Sequence, residues 1–355
     1  MKRMEIFFRR LLINILLSFR FAPKPLEEDY KAGNSKILFI RLNRIGDALV
    51  ITPLLHEMRK QTSSKIYLLA DKKNYFVFEN NNDIDDVIIF ERGIKGIFRV
   101  LNFIKENKIN TIVDLHDDVS TTVSFLIAFA KASNKFGLKK VNNKIYSATA
   151  PRLDPKIFHV VERIMEIGKL FHLQFSKEDI NINYRPRLES EKNVQCFLNE
   201  SNLNDKFLVG INISAGSHAR FWGIDNYKKL LNLFSSMNLN FVLLTSPADL
   251  KLAKEISKIN IFYSESFDEF AAAISKLDFL FTPDTAAVHL ASAFKIPMFG
   301  LYVKYKTNDM IWSPYCSQFE YVITEEPNLD NVRFEDVKNK LEPFIKNILL
   351  QNVHH

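Results

Sequence analysis

The chain has 355 residues, too many for one ordinary hydrophobic core, and this length predicts two domains of roughly 150 residues each. Its balance of apolar and charged residues is that of an ordinary globular protein, and its two cysteines lie far apart without metal-type spacing, which argues against a disulfide framework and suggests a reducing compartment. The formal net charge of +7 suits an anionic partner such as phosphates, an acidic membrane face or nucleic acid, although a Lys-rich composition without a target explains it equally well.

The first 22 residues form a basic, apolar segment that departs from this average. One acid, Glu5, stands against five basic residues, and apolar residues recur at helical spacing. The basic residues are Lys2, Arg3, Arg9, Arg10 and Arg20, and the apolar ones are Met4, Phe8, Leu11, Leu12, Ile15 and Phe19. The apolar stretch is shorter than the roughly 20 residues that span a bilayer, and no small-residue cleavage site follows it. We expect a basic amphipathic helix on an anionic membrane surface, with packing on the protein's own core as the alternative.

After a linker at residues 23–35, short apolar runs alternate with helical stretches over residues 36–185. Strands are predicted at "KILFIRL", "KIYLLA", "DDVIIF" and "NTIVDLH", and a helix at "ALVITPLLHEMRKQ". The pattern fades near residues 140–160, and a long helix is predicted from about Phe158. The polar, Pro-containing stretch "NINYRPRLES" is a candidate hinge.

A second alternating series occupies residues 186–335, from the strand "KFLVGINIS" to the strand "PMFGLY", and a last helix and tail fill residues 336–355. Strands that alternate with helices favour a parallel sheet covered on both faces. The sequence therefore predicts two Rossmann-like α/β domains. In such sheets ligands bind outside the carboxyl ends of the strands, and four polar loops leave predicted strand ends.

The first loop is "RLNRIGD". Gly46 permits a tight turn, and Asp47 falls at or just before the first turn of the following helix. As a helix cap, Asp47 would contribute about 1 kcal/mol of stability, but it is also a candidate general base. The loop contains neither a dinucleotide fingerprint nor a P-loop.

The second loop is "NISAGSHARFW". Ser214, Gly216 and Ser217 are small enough for backbone N–H groups and hydroxyls to approach a phosphate closely, and Arg220 adds a permanent positive charge. This composition favours an anion-binding loop, although small residues in a turn are often only a turn.

The third and fourth loops open predicted helices with an acid. In "TPDTAAVHL", Asp284 is a candidate cap, and the small residues from Thr285 onward leave a helix N-terminus that suits a diphosphate. His289 follows in the second turn, where a packed core residue is the alternative. In "LLTSPADLKL", Asp249 is a candidate cap or a ligand of ribose or sugar hydroxyls.

No part of the sequence announces a metal site. His and Cys lack zinc spacing, no Asp-rich calcium loop is present, and the acids of "DLHDD" are best explained as a polar strand-end loop. Nucleic-acid binding fits only the net charge, because no loop interleaves aromatic and basic residues.

A family resemblance rests on three stretches: "ILFIRLNRIGDALVITPLLHEMRK", "INISAGSHARFWGIDNYKKL" and "FTPDTAAVHLASAFKIPMFGLY". They resemble the opening strand with its Gly-Asp turn, the phosphate loop and the late Asp-Thr, His-Leu helix of glycosyltransferase family 9. This family contains the lipopolysaccharide heptosyltransferases and their relatives. Order and spacing match over roughly residues 36–345.

The resemblance implies a GT-B fold, with two Rossmann-like domains facing across a cleft. It implies inverting, metal-independent and cofactor-independent transfer of a sugar from a nucleotide-sugar donor, typically ADP-heptose, to a lipid-linked glycan acceptor such as the lipopolysaccharide core. The basic N-terminal helix in turn predicts a cytoplasmic protein attached peripherally to the inner face of the membrane, where the cleft would meet a lipid-linked acceptor. By position, Asp47 is the base in an acceptor-side loop with Arg44 and Gly46, and the donor residues are Ser214, Gly216, Ser217, Arg220, Asp249, Asp284, Thr285 and His289.

The chain departs from the family pattern where the donor is expected. The usual Trp-Pro is Trp222-Gly223, the usual Gly-Pro after Asp-Thr is Ala286-Ala287, and a usual Gly is replaced in "GLYVKYKTND". These departures bear on donor identity more than on the fold. A GT-B-like nucleotide-sugar epimerase and a non-catalytic nucleotide-binding family member are the alternatives.

Overall fold

A computed structural model describes residues 11–19, 23, 33 and 35–353 of the protein. Within these residues, the strands form two six-stranded parallel sheets, one in each of two compact units, residues 1–183 and 184–355. This confirms the prediction of two Rossmann-like α/β domains. Among the helices described, none is long and apolar enough to cross a membrane.

The first unit holds a sheet with the strand order β3-β2-β1-β4-β5-β6. Its strands are β1 (Lys36–Arg41), β2 (Lys65–Asp71), β3 (Asp86–Phe90), β4 (Thr111–Asp114), β5 (Asn134–Leu138) and β6 (Ala148–Ala150). Its helices are α1 (residues 11–18), α2 (Ile45–Leu49), α3 (Thr52–Gln61), α4 (Ile94–Glu106), α5 (Thr121–Phe129) and α6 (Val160–Met165). β1 and β4 are central and almost wholly buried, as expected for a parallel sheet covered on both faces.

One face of this sheet is covered by α1, α4 and α5, which bury side chains in a shared hydrophobic core with the strands. From α1, Leu16 is 1% exposed within this core and Ile13 is also buried. The apolar stripe read from the sequence lies elsewhere on α1, where Leu11, Leu12, Ile15 and Phe19 are all exposed. Packing on the core and an exposed apolar side therefore coexist on α1. The remaining residues of the predicted amphipathic helix, 1–10 and 20–22, lie outside the described residues.

The second unit holds a sheet with the order β12-β11-β10-β7-β8-β9. Its strands are β7 (Leu208–Asn212), β8 (Asn240–Thr245), β9 (Ile261–Tyr263), β10 (Phe279–Pro283), β11 (Met298–Val303) and β12 (Phe319–Thr324). Its helices are α7 (Leu188–Glu200), α8 (Ile224–Ser236), α9 (Leu250–Ile256), α10 (Phe267–Ser275), α11 (Ala286–Phe294) and α12 (Phe334–Val353). α8, α9 and α12 share a hydrophobic core with one face of the sheet.

Several elements differ from the sequence prediction. β5, β6, β12 and α7 were not predicted, and α7 begins inside the stretch predicted as a hinge. The single helix expected after β1 is two helices, because Pro53 has no N–H to donate to the carbonyl of Leu49. The long helix expected after Phe158 is only α6 and a 3₁₀ segment, which ends at His172 in a left-handed conformation.

The pair Trp222-Gly223 fixes the start of α8. Trp222 is 2% exposed, and its indole Nε1 donates to the carbonyl of Val332 at 2.8 Å. Gly223 precedes α8 with φ +94° and ψ 145°, a conformation that essentially only glycine adopts. Proline is fixed near φ −65°, so it cannot occupy this backbone. The departure from Trp-Pro therefore reflects a different chain path into α8.

Replacing Gly223 with proline should lower the free energy of unfolding by more than about 1 kcal/mol, because the native φ is forbidden to the ring. Gly223→Ala should cost about 1–3 kcal/mol for the same backbone reason. Asp225→Ala, two residues later and exposed, should stay within about 0.5 kcal/mol and is the control. Urea unfolding measures all three, and a Pro variant as stable as the parent would rule out the positive φ.

Candidate active site

Asp47 lies in the first turn of α2, just past the carboxyl end of β1. The tight turn before it uses Asn43, which has φ 115°, so the role given to Gly46 was wrong: Gly46 is a helical residue. One Asp47 carboxylate oxygen pairs with a guanidinium nitrogen of Arg41, and the other accepts from the backbone N–H of Arg44 at 3.3 Å. The Asp47 side chain is 16% exposed, so a fixed carboxylate keeps an accessible edge.

Arg41 was not singled out in the sequence, although it is a charged residue that directly follows four buried apolar residues of β1. Its side chain is 2% exposed. Nε donates to the carbonyl of Asp47 at 3.0 Å, and Nη1 donates to the carbonyl of Leu115, just past β4. The same guanidinium therefore orients the Asp47 carboxylate and joins the loops that follow two neighbouring strands.

A buried polar network lies next to this contact, within "DLHDD". Asp114 accepts hydrogen bonds from Lys140 Nζ at 2.8 Å and from Tyr146 Oη at 2.6 Å. Its other oxygen lies 2.7 Å from His116 Nδ1, and the far side of that imidazole contacts the backbone of Leu42. Burial alone would raise the pKa of Asp114, but Lys140 and His116 hold it well below its usual range. Burial also raises the pKa of Tyr146 well above its ordinary value, which keeps its hydroxyl a donor.

The remaining acids of this loop are also paired with cations. Asp117 accepts from Arg163 at 2.6 Å and from Arg152 at 3.3 Å, and Asp118 accepts from Arg152 at 3.0 Å. These contacts favour the strand-end interpretation of "DLHDD". Across the described ranges, no group of three or more His, Cys, Asp or Glu residues could hold a metal ion.

In the second unit, the loops after β7 and β8 are joined through Asp249. Its carboxylate accepts from Ser214 Oγ at 2.6 Å and from Ser246 Oγ at 2.9 Å. The backbone N–H of Ser246 donates to Ser214 Oγ at 2.8 Å. Asp249 makes no side-chain cap to α9, so that alternative was wrong, and its carboxylate instead sits among hydroxyls.

Arg220 and Asp284 form an ion pair at 3.0 Å, with side chains 30% and 27% exposed. Asp284 was expected to cap α11, but the cap is Thr285, whose hydroxyl accepts from the N–H of Ala287 at 3.2 Å. Asn212, at the end of β7, donates to Thr285 Oγ1 at 3.2 Å. Arg220 and Asp284, both predicted donor residues, therefore lie together at the start of α11, beside the small residues of its first turn.

The other predicted donor residues have different surroundings. Gly216 has φ +62° and faces open space where a side chain would begin, and Ser217 is exposed, so both belong to the surface turn after Ser214. His289 is 3% exposed, and its ring centroid lies 5.9 Å from that of Trp312. This placement favours the packed-core alternative for His289.

Both units are thus parallel Rossmann-like sheets with charged side chains beyond the carboxyl ends of their strands, where such sheets bind ligands. Residues 97–342 match the model of glycosyltransferase family 9 (heptosyltransferase). This range is more than half of the chain, so the protein belongs to glycosyltransferase family 9 and is a glycosyltransferase.

Known members of the family resemble the chain over most of its length. The lipopolysaccharide core heptosyltransferase OpsX of Haemophilus influenzae is 22% identical over 306 residues, which cover 82% of this chain and 85% of that protein. Among solved structures, the family 9 glycosyltransferase of Veillonella parvula has a TM-score of 0.77 at 21% identity, covering 92% of this chain and 100% of that one. The ADP-heptose lipopolysaccharide heptosyltransferase II of E. coli has a TM-score of 0.69 at 17% identity, covering 89% and 99%. These likenesses show the GT-B fold.

Asp114→Asn should lower the free energy of unfolding by about 3–5 kcal/mol, because Lys140 is then buried beside a neutral amide. The double variant Asp114→Asn/Lys140→Met should recover part of this loss. Asp118→Asn is the control, since its side chain is 92% exposed and should change stability by less than about 1 kcal/mol.

Asp114→Asn should also change how the free energy of unfolding depends on pH. The folded-state pKa of Asp114 lies below its unfolded value of about 3.9, so its contribution is present above that pH and is lost as pH falls towards the folded value. The stability gap between parent and Asp114→Asn should therefore narrow as pH falls below about 4. Urea unfolding at a series of pH values measures the gap, and a constant gap would contradict a depressed pKa.

Proposed function

We propose that the protein moves a heptose or a related sugar from a nucleotide-diphosphate donor, with ADP-heptose as the first candidate, to a lipopolysaccharide-core or other surface-glycan acceptor. Family membership supports transfer of a glycosyl group. The names of OpsX and of the E. coli ADP-heptose enzyme support the sugar and the acceptor class. The observation that carries the proposal furthest is the Asp47 carboxylate, fixed by Arg41 with an accessible edge.

The reaction is a single displacement with inversion. The acceptor hydroxyl oxygen forms a bond to the anomeric carbon, the bond from that carbon to the donor diphosphate breaks, and the hydroxyl proton passes to Asp47. Transfer of the proton late in the displacement makes an ordinary carboxylate sufficient as the base. The nucleoside diphosphate leaves with the bonding electron pair, and no metal or cofactor is required by this scheme.

The leaving diphosphate is stabilised by the second unit. One Arg220 nitrogen pairs with Asp284, which keeps the guanidinium beside the first turn of α11. Ala286 and Ala287 put no bulk over the backbone N–H groups there, where anions are favoured by the helix dipole. Ser214 and Asp249 supply a hydroxyl and a carboxylate for the ribose hydroxyls of the nucleoside.

The acceptor is bound by the first unit, where basic residues follow the carboxyl ends of several strands. Arg44 follows β1, Lys72 follows β2, Arg92 follows β3 and Arg152 follows β6. Because the carboxyl ends of parallel strands lie at one edge of a sheet, these cations lie at the same edge as Asp47, with Arg92 paired to Asp71 and Arg152 to Asp117 and Asp118. Such a rim suits a glycan that carries phosphate or carboxylate groups.

The proposed location is the inner face of the cytoplasmic membrane, with the protein attached peripherally. The exposed apolar side of α1 and the basic residues adjoining it in sequence support attachment to an anionic surface. This location brings the enzyme to an acceptor that is anchored in lipid.

Asp47→Asn should reduce transfer from ADP-heptose at least about hundredfold, since a positioned base contributes 10²- to 10⁴-fold. Binding of ADP should be unchanged, because the donor residues lie in the other unit. Asp225→Asn, an exposed acid in the first turn of α8, is the matched control and should keep the parental rate. An Asp47→Asn variant that retains more than about a tenth of the rate would reduce Asp47 to a structural acid.

Arg220→Ala should weaken ADP binding and slow transfer, because the permanent cation at the diphosphate is lost. Arg220→Lys should restore part of the affinity without the two-pronged geometry of a guanidinium. The control is Arg333→Ala, which removes an exposed Arg–Asp pair elsewhere in the same unit. Calorimetric titration with ADP measures the affinity, and an unchanged value in Arg220→Ala removes this residue from the donor site.

The transfer assay repeated with EDTA tests metal independence. The proposal of a metal-independent reaction fails if EDTA stops turnover and Mg²⁺ restores it.

A further inference from the structure

The outer side of α4 exposes apolar side chains that sugar transfer does not use. Ile94 and Phe98 lie one turn apart and are 73% and 62% exposed. The inner side of the same helix buries Val100 and Ile104 in the core of the first unit. Grouped exposed apolar residues on an otherwise polar surface mark interaction sites.

α1 exposes a second apolar group on the same face of the sheet. Its Leu16 is buried in the core that also holds Val100 and Ile104 of α4, so both helices cover one face. On the outer side of α1, Leu11, Leu12 and Ile15 are 42%, 44% and 48% exposed. We call these three residues together with Ile94 and Phe98 the α1–α4 surface.

Basic side chains accompany the α1–α4 surface. On α4, Lys95, Arg99 and Lys105 are exposed, with Glu91 pairing to Arg99. In sequence, α1 is flanked by Arg9, Arg10 and Arg20. Apolar residues that are flanked by Lys and Arg complement the interface of an anionic bilayer, where apolar groups enter the acyl boundary and cations meet the headgroups.

The position of α4 relates this surface to Asp47. α4 begins just past β3, so Ile94 lies at the carboxyl edge of the sheet, as Asp47 does past β1. β3 is two strands from β1 in the sheet, a lateral separation of about 10 Å. A bilayer at the first turns of α4 therefore lies close to the loop that carries the candidate base.

We propose that the α1–α4 surface docks on an anionic lipid bilayer, with Ile94 and Phe98 of α4 as an apolar contact in addition to that of α1. The inference deepens the proposed function, because a lipid-anchored acceptor gives the docking its use. The apolar contacts do not depend on salt, and the basic contacts do.

The test is sedimentation of the full chain with vesicles of phosphatidylglycerol and phosphatidylcholine in equal parts, without donor or acceptor. Ile94→Ser/Phe98→Ser should lower the partition coefficient about tenfold or more, because both side chains lose their apolar contact. Leu12→Ser/Ile15→Ser should lower it similarly. Lys95→Ser/Lys105→Ser should lower binding to these vesicles but not to pure phosphatidylcholine, and added NaCl should mimic that loss.

Leu188→Ser/Ile259→Ser is the matched control. These residues are 70% and 62% exposed in the second unit, so the variant removes comparable apolar area that is not part of the proposed surface and should bind vesicles as the parent does. Equal sedimentation of Ile94→Ser/Phe98→Ser and the parent overturns the proposal. If, instead, that variant converts a dimer into a monomer in analytical ultracentrifugation without changing vesicle binding, a second copy of the chain covers the surface.

A separate measurement of transfer from ADP-heptose distinguishes this inference from the proposed function. A protein that sediments as expected but transfers no sugar overturns the function and leaves the surface standing. A protein that transfers sugar but sediments independently of Ile94 and Phe98 overturns the surface alone.

Discussion

The loops at the carboxyl edge of the first sheet depend on one contact, the buried guanidinium of Arg41. A charge that is 2% exposed is costly unless its hydrogen bonds are satisfied, and Arg41 meets this cost with the Asp47 carboxylate and two backbone carbonyls. Asn74, after β2, donates to the Arg41 carbonyl at 3.2 Å. The loops after three strands are thus held by one residue and its immediate partners. Through the N–H of Arg44 the Asp47 carboxylate also caps α2, and its two contacts together give it the defined direction that a base needs.

The second unit uses a weaker kind of polar contact at its strand edge. Arg220 and Asp284 are both about 30% exposed, so their pairing is worth little net free energy in water. Arg220 can therefore reorient towards a phosphate at small cost, whereas removing Asp47 from Arg41 leaves a buried charge without its partner. An Arg–Asp pair is therefore a fixed contact in the first unit and an exchangeable contact in the second unit. Hydroxyls around Asp249 follow the second pattern, because they can turn towards a ribose as readily as towards a carboxylate.

The sequence predicts the fold class well because parallel strands that are buried on both faces are continuous apolar runs. It singles out Asp47, Arg220 and Asp284 because each lies in the loop or first helical turn that follows such a run. β6 was not predicted because its three residues are too few to show the alternating pattern of a strand. α7 was not predicted because it begins just after a proline and most of its first residues are polar. The tight turn at Asn43 was missed because nearby Gly46 offered the commoner explanation.

The sequence does not predict which residues far apart in the chain form hydrogen bonds with each other. Arg41 binds a carbonyl 74 residues away, and Asp249 binds Ser214 35 residues away, so neither partner can be read from local pattern. The interpretation of Asp249 as a cap fails for that reason, since a hydroxyl supplied by another loop satisfies the carboxylate that the helix end was expected to use.

The topology of the first sheet explains why the proposed acceptor site and the proposed α1–α4 surface can adjoin. A helix that follows a strand in a parallel sheet begins at the carboxyl edge, where ligands also bind, so its first turns belong to both the covering layer and the rim of the site. Ile94 and Phe98 occupy those turns of α4, while Val100 and Ile104 further along anchor the helix in the core. α1 repeats this division, with Leu16 inward and Leu11, Leu12 and Ile15 outward. Periodicity alone finds an apolar stripe on such a helix, but for a helix with two apolar sides only the packed domain shows which side is buried in the core and which is exposed.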